Sequence, residues 1–154
     1  MPASLTAVAR HLLFVREATG PNRGAWVEFF QRFSGGVPGD SWCADFVSFV
    51  LDVAYHGKAP IVKTGSTQVM LSHARAAGWV VDTPQIDDLY FFVHPDGTPH
   101  HVGIVTLVGA PGQTAVLGIA GNTSEDGTSS NGTGVFEHRI VVANVVFVRL
   151  PVGA

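Results

Sequence analysis

The chain carries one cysteine, Cys43, and seven histidines. A thiol and an imidazole are the pair that acyl transfer uses near neutral pH, the first as nucleophile, the second as base and then acid. A lone cysteine is more often a small buried hydrophobe, so its setting decides. Cys43 follows Pro38-Gly39-Asp40-Ser41-Trp42, a tight entry. It opens a stretch from about Trp42 to Tyr55 whose residues Ala44, Phe46, Val47, Phe49, Val50, Leu51, Val53 and Ala54 leave almost no polar face. A short helix apolar nearly all round is a central one. Asp40 or Ser41 is expected to cap it. A thiol in the first turn meets the positive end of the helix and its free N–H groups. These lower its pKa and help hold an oxyanion.

Among the histidines, His11, His56, His73 and His138 fall at helix surfaces, a helix end or a polar strand position and read as solvated. His94 stands in a turn before Pro95. His100 and His101 begin the strand Val102-Gly-Ile-Val-Thr106. Strand neighbours point to opposite faces, so one of the two faces Cys43. Gly103 shares the face of His101 and leaves room there for a close approach, which favours His101 as the base. A third group usually fixes the tautomer of such a base. If Gly109 to Gly112 closes a hairpin, His101 falls near Ala120, and Asn122 is a diagonal neighbour on the same face. Gly121-Asn122-Thr123 is also turn chemistry. Trp42 and His100 are the candidates for contacts to substrate.

Other chemistries lack their residues. The chain has no G-x-S-x-G elbow and no Walker loop. Zinc on His94, His100 or His101 lacks a completing cluster of Cys or carboxylates. Asp40 and Asp45 alone do not make a six-ligand calcium site. No metal or other cofactor is expected.

The elements that must hold these groups are helices first and strands second. An amphipathic helix is expected in Met1 to Val15, with Leu5, Val8, Ala9, Leu12 and Val15 on one stripe. Further helices are expected over Gly24 to Phe33, the Cys43 stretch, and Ser66 to Ala77 with Gly78 as its cap. Leu89 to Val93, Val102 to Val108, Thr114 to Ile119, Gly134 to Ile140 and Val145 to Leu150 read as strands. Thr123 to Gly132 is rich in Ser, Thr and Gly and reads as a mobile surface loop. This order predicts an α+β fold with an antiparallel sheet, as one domain over residues 1–154.

Composition sets limits on partners. Apolar residues make up 46% and charged residues 14%, with a net charge of −3. Disorder is not expected from that balance, and nucleic acid and anionic membrane surfaces are poor partners. No apolar run approaches the ~20 residues that span a bilayer. The N-terminus does not read as a signal peptide. The expectation is a monomer made in the cytoplasm that reaches its target by lysis or delivery.

Several segments together resemble the CHAP family, the cysteine, histidine-dependent amidohydrolases/peptidases among the papain-like hydrolases. They are Asn22-Arg-Gly-Ala-Trp-Val27, Pro38-Gly-Asp-Ser-Trp-Cys-Ala-Asp-Phe-Val-Ser48, Asp88-Leu-Tyr-Phe-Phe92, His101-Val-Gly-Ile-Val105, Ile119-Ala-Gly-Asn-Thr123, and Gly134-Val-Phe136 before Arg139. The resemblance spans about Asn22 to Arg139 and places the family's nucleophile at Cys43. It implies a papain-like fold. It also implies an enzyme cutting amide bonds of peptidoglycan, as an N-acetylmuramoyl-L-alanine amidase or a cross-link endopeptidase, of the sort found in phage lysins and wall-remodelling enzymes. Two positions depart from the pattern. Asp87 replaces the usual Gly, and Ala120 stands where many members carry an acid.

The expected mechanism is acyl transfer. Cys43 attacks an amide carbonyl, His101 moves the proton to the leaving amine, Asn122 orients His101, and the Cys43 N–H helps bind the oxyanion. Two rivals remain open. One is a non-catalytic wall-binding or assembly module. The other is an interbacterial amidase toxin with an immunity partner.

Overall fold

The strand Leu89–Val93 alternates large apolar side chains between two faces, and both faces are buried. A strand apolar on both sides must lie inside a sheet covered front and back. The computed structural model describes residues 3–110, 115–141 and 143–152. It shows four helices, α1 (Leu5–Arg10), α2 (Ala25–Phe33), α3 (Cys43–Ala54) and α4 (Thr67–Ala77). They precede six strands, β1 (Val80–Val81), β2 (Leu89–Val93), β3 (Pro99–Val108), β4 (Val116–Thr123), β5 (Gly134–Arg139) and β6 (Val145–Val148). The sheet order is β1-β6-β2-β3-β4-β5, with every pairing antiparallel. The fold is α+β, as the element order predicts. No helix among the described residues is long and apolar enough to cross a membrane.

One face of the sheet carries Leu89, Phe91, Val102, Ile104, Ile119 and Val148, which join the core of the helices. Helix α3 lies on β3 and β4 there, with α1, α2 and α4 around it. The other face carries Tyr90, Phe92, Val105 and Ala120, a smaller second core. Phe30 of α2 packs on Trp42 and Phe46 of α3, so the aromatic spacing seen in α2 serves helix–helix contact.

Several local expectations are corrected. The first helix stops at Arg10, short of Val15. Val15 accepts from the Val135 N–H, Glu17 donates to Thr133, and Arg16 bridges Gly134. Pairing with the edge of β5 thus overrides the helical period. The cap of α3 is Trp42, with no side-chain bond, because the Asp40 carboxylate accepts from Val37 instead. Ser66 and Gly78 do cap α4, Gly78 in the left-handed region at φ 76°. Strand β4 runs on to Thr123, and β1, with two residues, is too short to show a sequence period. The turn expected at Gly109–Gly112 and the Thr114 start of β4 lie partly outside the described residues.

Candidate active site

Cys43 is the first residue of α3, and only 4% of it is exposed. Its sulfur lies against backbone N–H groups of Val102, Ala44 and Cys43 itself. Since no side chain caps α3, its first-turn donors remain turned toward the thiol, the arrangement an oxyanion needs. Burial nevertheless dominates. It pushes the Cys43 thiol up to about 11, the neighbouring N–H groups pulling the other way. The sequence-based expectation of a lowered pKa is therefore corrected: desolvation outweighs the helix end in this closed arrangement.

The two histidines expected to diverge do not. Phe92 pairs with His101 but Val93 pairs with Pro99, so His100 is the extra residue of a bulge. A bulge breaks the alternation of faces. Both imidazoles lie beside Phe92, that of His101 stacked at 5.3 Å between centroids and that of His100 at 6.3 Å. His100 also packs on His94 at 4.6 Å and shares a 2.9 Å hydrogen bond with the Ser130 hydroxyl.

His101 lies on the second face with Tyr90 and Phe92, opposite the face that α3 covers. Cys43 belongs to the core on the α3 side, at the start of the helix that packs on β3 and β4. Their ladder ends at Ile104↔Ile119, and β4 bulges between Ala120 and Thr123. The N–H of Val102, the residue next to His101, is among the groups that pull the Cys43 thiol down, and burial, followed by Cys43, raises the Tyr90 hydroxyl. The space over Gly103 is filled by the Tyr90 ring, not by a helix.

The pairing of β3 with β4 stops at Ile104↔Ile119, so neither Ala120 nor Asn122 is a ladder partner of His101. Asn122 sits in the left-handed region at φ 54°, which its short polar side chain tolerates. Its amide donates a long 3.5 Å bond to the Ser130 carbonyl.

Both ring nitrogens of His101 and the Oδ1 of Asn122 are buried without a hydrogen-bond partner among the described residues. Such groups are costly in a core, and each calls for a reason. Burial, followed by the nearby His138 and His100, presses His101 down to about 3. The resting pair is thus a neutral thiol and a neutral imidazole. Moving a proton between them inside a dry site would create two desolvated charges. Water or substrate must enter before they can act as an acid–base couple.

Two further groups border the site. His138, expected to be solvated, is buried at 4% exposure. It donates from Nδ1 to the Arg139 carbonyl and accepts the Tyr90 hydroxyl at Nε2, 2.9 Å away. Burial lowers its pKa. Only the pairing of β4 with β5 brings His138 beside Tyr90, so no local signal marks it. Asp45, two residues past Cys43, is 1% exposed with an unpartnered Oδ1, and burial raises its carboxyl to about 7. Its sequence position in the first turn could have flagged it. Trp42, expected to border substrate, is instead core. It is fully buried on Phe30, and its indole N–H donates to Glu17 at 3.0 Å. Among the described residues, no group of three or more His, Cys, Asp or Glu is arranged to hold a metal ion.

In comparisons with known proteins, no family model, no curated protein and no solved structure matches the chain.

Proposed function

We propose that the chain is a cysteine hydrolase of amide bonds with a papain-like fold, and that its substrate is peptidoglycan. One observation carries the catalytic part: a thiol at an uncapped helix start lies against the amide that follows a buried imidazole with both nitrogens unpartnered. Such orphaned groups at one place are what a site awaiting substrate protons looks like. In the proposed reaction His101 takes the Cys43 proton as sulfur attacks the carbonyl, then gives it to the leaving amine. Asn122 positions the ring, and the Cys43 and Ala44 N–H groups receive the oxyanion. Water attacks the thioester, and His101 returns a proton to sulfur.

The choice of peptidoglycan rests on the resemblance to the CHAP family. Asp87 adds to it. It stands where that family carries Gly, and its φ of 74° is a conformation in which glycine is at ease. Here the Asp87 carboxylate is held by the Thr6 N–H and the Thr6 and Ser4 hydroxyls, which offsets the strain.

A second reading is a wall-binding or assembly module that does not turn over. It is favoured by the closed, uncharged state of the site and by Asn122 bonding to Ser130 rather than His101. Incubating purified peptidoglycan with the protein and with its Cys43→Ala variant, followed by mass spectrometry of soluble products, separates the two. Fragments released only by the wild type support hydrolysis, and the new chain end names the bond. Binding without release in both supports the module.

A further inference from the structure

From Ser124 to Gly134 the chain contains no apolar side chain, yet it folds back over a buried face. Gly127 rests on the His138 ring. Ser130 bonds through its hydroxyl to His100 and through its carbonyl to the Asn122 amide. The Ser129 carbonyl accepts from Thr123 at 2.9 Å. Beneath this segment His101 and Asn122 are fully buried. Apart from the packing of Gly127 on His138, the cover is attached by polar bonds, which water can replace at little net cost. It rests on a centre whose own polar groups are unpartnered.

We infer that Ser124–Thr133 is a polar lid that shuts the Cys43–His101–Asn122 centre in the resting protein, with Ser130 as its latch. In the closed state the Ser130 hydroxyl is the latch, bonded to His100 at 2.9 Å, and it keeps the Ser130 carbonyl over the Asn122 amide, away from His101. Lifting the lid admits water and substrate, frees Asn122 to turn, and ends the desolvation of thiol and imidazole together. The stem of the lid stays in place, because Gly132 donates to Asn122 and Thr133 to Thr123 through the backbone. This inference takes Cys43 as the reactive group of the proposed function, but its test reads the thiol and not turnover.

Cys43 is the sole cysteine, so alkylation of the intact chain reports on it alone. Iodoacetamide labelling near neutral pH, followed by intact mass, is run on the wild type and on Ser130→Gly across low urea concentrations. Lid opening exposes little surface, so the labelling rate should be nearly independent of urea, whereas global unfolding gives a steep dependence. Loss of the latch hydroxyl and the added backbone freedom should raise the rate about tenfold. Amides of 124–133 should exchange hydrogen faster than those of α3 and β3. Labelling that follows global unfolding and is equal in the two proteins overturns the lid, as does a wild-type thiol that reacts as fast as free cysteine. Should Ser130→Gly fail to fold, the urea dependence and hydrogen exchange of the wild type decide. Absence of hydrolysis leaves this result untouched, since an inactive module could still carry the lid.

Discussion

His101 stacks on Phe92 with their planes 29° from parallel, and among the described residues neither of its nitrogens has a hydrogen-bond partner. Burial, followed by the nearby His138 and His100, holds the ring neutral, its pKa about 3 against an ordinary 6.5. A depressed pKa means that the stability it contributes is full above pH 6.5 and is lost as pH falls toward 3. Asp45 acts with the opposite sign. Its carboxyl is raised from 3.8 to about 7, so its contribution is full below 3.8 and is lost as pH rises through 7. Urea midpoints between pH 7 and 4.5 should show the two separately. Asp45→Asn should make the acid-side loss visible, of about 2 kcal/mol. His101→Gln should instead grow more stable on acidification. Parallel pH dependence in both variants would contradict this assignment.

Cys43→Ala should abolish peptidoglycan release, a loss of at least about a thousand-fold. The circular dichroism spectrum should be unchanged, because only one small side-chain atom is removed from the core. Wild-type rates in this variant would rule out the sulfur as nucleophile.

Asn122→Ala should lower kcat by about ten- to a hundred-fold with a smaller effect on KM. Because Asn122 positions the ring and does not react, the pH–rate profile should shift its acid limb as well. A mere loss of stability would leave that limb in place.

Gly121 faces α3, and a Cβ built there stands 2.6 Å from Cζ3 of Trp42 and 2.8 Å from Cβ of Phe46. Gly121→Ala should therefore destabilise the protein by about 1–3 kcal/mol through overpacking, seen in thermal melts. It should also depress activity at temperatures where the protein remains folded, since the start of α3 carries the thiol.

Much of this architecture is legible from local pattern. The strand Leu89–Val93, the helix α4 with Ser66 and Gly78 at its ends, and the buried helix α3 follow from apolar periodicity and cap chemistry. The selection of Cys43, His101 and Asn122 used the same local rules and rests on the same strands and helix start. What those rules misjudged has common causes. The alternation rule separated His100 from His101, and a bulge reunited them. Helical spacing extended α1 to Val15, and pairing with β5 took that segment away.

By itself the sequence determined the order of helices before strands, the apolar character of α3 and of the strand Leu89–Val93, and that a thiol opens the central helix. These depend on neighbours a few positions apart. The tertiary structure decided how charged the centre is and what lies over it. The sulfur and imidazole stay neutral because elements distant in the chain pack around them and exclude water. Desolvation depends on everything packed around a group, and the order of residues alone does not display it.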